Sequence, residues 1–389
     1  MESRATLAAR VAEIAPFHVM EVQTAARALE AAGRSIVHME IGEPDFPTPA
    51  PVIAAAQRAI ADGGIYYTSA LGLPALRSAI AAHYATHYGV TVAPERVVVT
   101  AGSSAALLLV MALLVNRDDR ILLADPGYPC TRHFVRVLEG DPFGIPVDAT
   151  TGYQLTADLV QRHWTPQTRG ALVASPSNPT GTMVARAEMA RIADVVRRMR
   201  GTLIVDEIYL GLSYDEKPVS ALAVDDDAFI VSSFSKYFNM TGWRLGWIVA
   251  PERHVRDIEK LAQNLYISPP TPSQRAALAC FEPATLELVE GRRQAFRARR
   301  DYLVPALRAL GFGVPVMPGG GFFVYADITR FADDSERFCQ EVLEGAGVAL
   351  TPGVDFGRHR PEAHVRFSYT VGQEKLEDGV ARLAAFLRR

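Results

Sequence analysis

The stretch Phe229-Ile230-Val231-Ser232-Ser233-Phe234-Ser235-Lys236, followed by Thr241-Gly242-Trp243-Arg244, decides how the rest of this chain is read. Phe229–Ser232 is a short apolar run of the kind that fills a buried strand. It delivers Lys236 just beyond the strand's C-terminal end. A lysine held there is partly desolvated, which lowers its pKa and frees an amine for Schiff-base chemistry. Only Lys217, Lys236, Lys260 and Lys375 are lysines among 40 cationic residues. An arginine-rich genome explains that count equally well, and Lys236 taken alone also fits an ordinary surface lysine.

Outward from this stretch, short apolar runs alternate with helical periodicity. Strands are predicted at Val97–Thr100, Arg120–Ala124, Gly170–Ala174, Thr202–Asp206 and Leu245–Ala250, with helices at Ser104–Leu114, Ala185–Met199 and Pro251–Gln263. This is the pattern of an α/β fold whose largely parallel sheet carries helices on both faces. The last third changes character. An Arg-rich helix at Gln294–Leu310 is broken by Gly311–Pro318 and Gly319-Gly320-Gly321 before strands at Phe322–Ala326 and His364–Ser368. Helices near Ser335–Glu344 and Lys375–Leu387 complete a smaller α+β unit. An N-terminal helix near Leu7–Ala32, ended by Gly33, is expected to pack on that unit. The division is a large domain at 46–280 and a small one made of 1–45 plus 281–389.

Composition narrows the function. Of the 389 residues 49% are hydrophobic and 21% charged, so disorder is excluded, and a net charge of −3 gives no electrostatic reason to expect nucleic acid. Cys130, Cys280 and Cys339 form no CxxC pair, so no disulfide framework or cysteine metal site is signalled and a reducing cytoplasm fits. Val97–Val115 is uncharged and long enough to span a bilayer, but Thr100, Gly102, Ser103 and Ser104 interrupt it. It reads as strand, turn and buried helix. Acidic and basic residues follow Met1–Thr6 before any long apolar core, which argues against a secretory signal. His83 and His87 stand at i, i+4 on a helix, but with no H-E-x-x-H they read as a solvated face and no metal is expected.

Three further motifs come directly after predicted strands. Leu203–Val205 delivers Asp206 in Asp206-Glu207-Ile208-Tyr209, at the strand end where ligands sit in doubly wound sheets, although a helix N-cap is as good a reading. Ser175-Pro176-Ser177-Asn178-Pro179-Thr180-Gly181 is by itself a turn. Ala101-Gly102-Ser103-Ser104 opens a helix whose N–H groups suit a phosphate. In this order, with Ile41-Gly42-Glu43-Pro44-Asp45-Phe46 near the start and Val365-Arg366-Phe367-Ser368 near the end, the motifs resemble the fold-type I pyridoxal-phosphate enzymes, specifically the class I/II aminotransferases. The resemblance covers essentially the whole chain.

It implies a three-layer PLP-transferase fold with a mostly parallel central sheet, and a role for each motif. Lys236 would be the Schiff-base lysine that moves the substrate proton. Asp206 would hold the pyridine nitrogen protonated. Asn178 and Tyr209 would hydrogen-bond the cofactor's phenolate oxygen. Tyr128, in Asp125-Pro126-Gly127-Tyr128-Pro129, would stack on the ring, unless it is a core tyrosine beside a turn. Ser103, Ser104, Ser233, Ser235 and Arg244 would cup the phosphate. Tyr67, with Tyr66 the adjacent alternative, would reach the phosphate of a neighbouring subunit, which implies a homodimer with shared sites. Arg366 would clamp the substrate carboxylate, helped by Asn178 and the Gly42 N–H.

The implied activity is transfer of the amino group of an L-amino acid to a 2-oxo acid by a ping-pong cycle. A β-eliminating carbon–sulfur lyase would keep the same cofactor residues. Ser233-Phe234-Ser235-Lys236 also fits the S-x-x-K motif of serine hydrolases, but no lysine is followed by Thr-Gly. A non-catalytic regulatory homologue would not need to retain Lys236 and Asp206. No second arginine or lysine matches the family positions that select aspartate or glutamate side chains, so alanine, branched, aromatic and glutamate donors stay open.

Overall fold

The six predicted apolar runs and one further strand assemble into one seven-stranded sheet. Its order is Val97–Thr100, Gly246–Val249, Phe229–Ser233, Thr202–Asp206, Thr168–Ala174, Arg120–Asp125 and Asp141–Pro146. Gly246–Val249 runs antiparallel to both of its neighbours, while the remaining pairings are parallel. The computed structural model describes residues 7–388, so Met1–Thr6 lies outside the described residues.

Helices cover both faces, and every residue of Val97–Thr100, Phe229–Ser233 and Gly246–Val249 is buried. Burial on both sides is why these strands read as continuous apolar runs rather than alternating ones. Each fully buried Ile or Val contributes about 1.5–3 kcal/mol. Val97–Val115 is a strand followed by the Ser103–Leu114 helix. No helix among the described residues is long and apolar enough to cross a membrane.

A second sheet of three antiparallel strands, Thr351–Pro352, His364–Ser368 and Phe323–Asp327, lies in the last third. Val37–His38 pairs in parallel with Val348–Ala349, tying the N-terminal segment to this part of the chain.

Several elements differ from expectation. The N-terminal helix is broken: a 3₁₀ turn covers Ala9–Glu13 and the α-helix runs from His18 to Ala31, because Pro16 interrupts the periodic stretch. Its start is capped from 337 positions away, the His18 N–H donating to the Asp355 carboxylate at 3.0 Å. Asp141–Pro146 is an unexpected strand. Its two prolines and Gly144 hide it from propensity, and its place at the sheet's edge tolerates them. The Arg-rich helix starts at Pro283, not Gln294, and runs 28 residues. Finally, His83 is not on a solvated face. It is buried against Phe238 and Phe281, and desolvation pushes its pKa down to about 3.

Candidate active site

The parallel strands all end at one edge of the seven-stranded sheet, and their loops build a cavity of about 240 Å³. Thr100 leads to Ser103 and Ser104, Asp125 to Tyr128, Ala174 to Asn178, Thr202–Val205 to Asp206 and Tyr209, and Phe229–Ser233 to Ser235 and Lys236. Arg244 enters from just before the antiparallel strand. Gly42 and Arg366 close the cavity from the second sheet's side.

Lys236 donates from Nζ to the Gly42 carbonyl at 2.7 Å. Burial pushes its pKa down to about 8; Glu43 opposes this, while Arg366 and Arg244 add to it. Arg366 is buried between the rings of Phe323 and Phe356, 4.3 and 4.8 Å from its guanidinium carbon. Nη1 donates to Asn178 Oδ1 at 2.9 Å, and Nη2 donates to Thr351 Oγ1 at 3.2 Å and to the Glu40 carbonyl. Nε has no partner, and no carboxylate forms a salt bridge with this arginine among the described residues. Burial therefore lowers its pKa to about 10. A buried guanidinium in this state is prepared for an incoming carboxylate.

Asp206 presents the opposite case. It is buried, its carboxylate accepts only the Ile208 N–H among the described residues, at 3.1 Å, and burial raises its pKa to about 6. Tyr209 is buried edge-on to Phe322 and Phe323, and desolvation raises its pKa. At the cavity's other end the Ser103–Leu114 helix begins after Gly102, whose φ is +87°. A Cβ there would lie 2.8 Å from Arg244 Nη2, so glycine is what lets the guanidinium lie over the helix N-terminus. Helix start and arginine together make an anion cradle.

The cavity thus gathers Gly42, Ser103, Ser104, Tyr128, Asn178, Asp206, Tyr209, Ser235, Lys236, Arg244 and Arg366. Ser233 is buried outside it and supports Ser235, accepting the Ser235 N–H at 3.0 Å. Tyr67 is 79% exposed and does not line it, and Tyr66 is 80% exposed. Lining residues that sequence reasoning missed include Phe17, Val19 and Met20, which no motif marks. Ile41, Glu43 and Thr241 lie within the Ile41–Phe46 and Thr241–Arg244 motifs. The Thr241 hydroxyl donates to Glu43 Oε1 at 2.6 Å, latching the two loops together.

A mostly parallel α/β sheet thus carries a strand-end lysine, a buried carboxylate without a cation and an anion cradle at one edge. The model of the family "Aminotransferase class I and II" matches residues 34–383, and the chain belongs to that family: it is a transaminase. A valine–pyruvate aminotransferase of Mycobacterium tuberculosis is 38% identical over 378 residues, 97% of each chain. An aspartate/prephenate aminotransferase of Thermus thermophilus is 33% identical over 386 residues, 98% of this chain and 99% of that one. The crystal structure of an aminotransferase from M. tuberculosis superposes with a TM-score of 0.95 at 37% identity, covering 99% of this chain and 100% of that one. Each of these relatives bears an aminotransferase name and none bears that of a lyase.

Proposed function

We propose that the cavity holds pyridoxal 5'-phosphate and that the chain passes the amino group of an apolar L-amino acid to a 2-oxo acid. One observation carries this reading: a lysine of lowered pKa, a buried carboxylate without a cation and a buried guanidinium without a carboxylate line one cavity. The residues fit the cofactor. Asp206 lacks the cation that a protonated ring nitrogen supplies, and the Ser103–Ser104 helix start with Arg244 and Ser235 suits a phosphate. When bound, the group supplies a carbonyl for an amine and a ring that acidifies the substrate's α-carbon.

The protein's own residues do the rest. Lys236, with its pKa lowered to about 8, is unprotonated in a larger fraction of molecules than a free lysine, and its Nζ takes and returns the proton at the substrate α-carbon. Asp206 keeps the proton on the ring nitrogen. Tyr209 and Asn178 support the ring oxygen, Tyr128 covers the ring face, and Arg366 with the Gly42 N–H orients the α-carboxylate.

Phe17, Val19, Met20 and Ile41 line the cavity on the Gly42 side and would meet the substrate side chain. The lysine and arginines of the lining, Lys236, Arg244 and Arg366, are already engaged, so an apolar donor is favoured; the relative named for valine and pyruvate supports this. The test is keto-acid formation from valine, leucine, alanine and aspartate with pyruvate as acceptor. Faster turnover of aspartate than of all three apolar donors overturns the substrate reading. Without any 2-oxo acid, one equivalent of keto acid supports the transferase, and continuous ammonia release refutes it.

A homodimer with shared sites is part of this proposal. Ile60, Ile65, Tyr66, Tyr67, Leu265 and Ile267 are all exposed apolar or aromatic side chains, the surface expected of a face awaiting a second copy. Tyr67 on that face would complete the neighbour's phosphate site. The division into 46–280 and 1–45 plus 281–389 is supported by the separate seven- and three-stranded sheets. Free thiols at Cys130, Cys280 and Cys339 support a cytoplasmic setting.

A further inference from the structure

A second cleft, of about 670 Å³, opens on the far side of the Asp125–Tyr128 turn: Pro126 lines it, Tyr128 lines the active-site cavity, and no residue lines both. Its floor is aromatic. The His364 and Tyr325 rings stack at 4.7 Å and 2°, and Tyr153 stands edge-on to both. All three residues are more than nine-tenths buried. His364 Nδ1 meets the Arg360 carbonyl at 3.0 Å. Neither tyrosine hydroxyl, nor His364 Nε2, has a hydrogen-bond partner among the described residues, yet none of these atoms is sealed in the interior. They are polar groups aimed into the cleft.

Three arginines form its rim. Arg330 makes no hydrogen bond or ion pair among the described residues. It lies over Gly311, where a Cβ would be 2.7 Å from Nη1. Arg308 uses only Nε, on the Val314 carbonyl at 2.8 Å. Arg360 meets Asp327 only at 3.7 Å. The two acidic groups are largely satisfied locally: Asp148 Oδ1 accepts the Thr150 N–H and hydroxyl at 2.8 and 2.6 Å, and Asp327 Oδ1 accepts those of Thr329 at the same distances. Tyr153 and Arg360 both sit in left-handed backbone, at φ +56° and +49°. Such conformations cost free energy and concentrate where a side chain must be aimed.

We infer that this cleft is a second ligand site that takes a small organic oxyanion, a phosphate ester or a polycarboxylate, on Arg308, Arg330 and Arg360 above the Tyr153 and Tyr325 hydroxyls. Guanidinium forks match carboxylate and phosphate oxygens in pairs. Hydroxyl donors on a mostly apolar floor give such a site its orientation. Val147 and Pro315 flank it with apolar surface for a carbon skeleton.

The test is equilibrium dialysis of labelled citrate and labelled adenosine monophosphate against the cofactor-loaded protein. Saturating amino donor and its own 2-oxo acid are present throughout, so that Arg366 is occupied in both cofactor forms. One probe is expected to bind once per chain with a dissociation constant below about 1 mM, and which one binds separates a polycarboxylate from a phosphate ester. Arg330→Glu should weaken it about tenfold or more, and Tyr325→Phe about threefold. Amino transfer without the probe should be unchanged in both variants. Failure of both probes to bind overturns the inference, as does binding that survives both Arg330→Glu and Arg360→Asn.

Discussion

Arg366 donates from Nη1 to Asn178 Oδ1 across 2.9 Å, joining residues 188 positions apart in the chain. The bond links the end of the cavity assigned to the substrate carboxylate with the end assigned to the cofactor oxygen. Replacing Arg366 with Ala should therefore weaken amino-acid binding by about 2–5 kcal/mol while the cofactor stays bound. Arg366→Lys, which keeps the charge but loses the fork, should fall between. Titration of the bound cofactor's absorbance with amino acid checks both, and wild-type affinity in the alanine variant would remove Arg366 from its role.

Lys236→Ala should abolish the adduct that borohydride fixes between protein and cofactor, while the variant still binds cofactor through the phosphate cradle and Asp206. Losing the proton carrier alone costs about 10²–10⁴-fold in rate, and loss of the covalent exchange route adds to it. Peptide mapping after reduction of the wild type locates the attachment, and label on Lys217, Lys260 or Lys375 would refute the assignment.

Asp206 predicts a pH dependence of the cofactor-free protein. Its folded pKa is raised from 3.8 to about 6, so the neutral acid is what the fold favours. The stability tied to it is present below about pH 4 and is lost as pH rises through about 6, a change of about 3 kcal/mol. Asp206→Asn should lack this loss, so that above pH 6 the variant without cofactor is the more stable. Glu207, raised to about 8 by burial, acts with the same sign in both proteins and largely cancels in the difference. Denaturant melts from pH 4 to 8 read the effect, and parallel curves for the two proteins would contradict it.

Gly42→Ala should damage the site through packing. The new Cβ would lie 2.6 Å from Phe323 Cζ, and the Phe323 ring is what lies against the Arg366 guanidinium. Overpacking of this kind costs about 1–3 kcal/mol. A lowered melting temperature with a raised KM for the amino acid is expected, with cofactor content preserved. Wild-type values of both would mean the loop yields freely.

Sedimentation equilibrium should find a dimer, and Tyr67→Phe should leave it a dimer while weakening cofactor binding about ten- to a hundredfold, the value of a hydrogen bond to a charged group. A fully active monomer would defeat the shared-site proposal.

The strand runs that carry the site were legible because a strand buried on both faces must be apolar along its length. Val97–Thr100, Thr202–Asp206 and His364–Ser368 accordingly stand where periodicity places them. The chemistry-bearing groups were legible only through the resemblance, since Asp206 alone reads as well as an N-cap and Asn178 as a turn; the fold places both with Lys236 in loops after adjacent parallel strands, which open at one sheet edge. Asp141–Pro146 was not legible, since its proline-rich composition opposes strand formation and only the neighbouring Arg120–Asp125 strand and an edge position permit it. Nor was the burial of His83, because helical spacing says which residues share a face but not what covers that face.

The tertiary structure alone decided the long-range partners. Phe17, Val19 and Met20 reach the cavity because Pro16 breaks the N-terminal helix and Asp355 caps the helix that begins at His18. Arg366 is held by Asn178, Phe323, Thr351 and Phe356, which come from three separate segments of the chain. Local sequence carries propensity and burial, which act over a few residues. The aim of a buried guanidinium is set by side chains that meet only after the two sheets have formed, so it belongs to the fold.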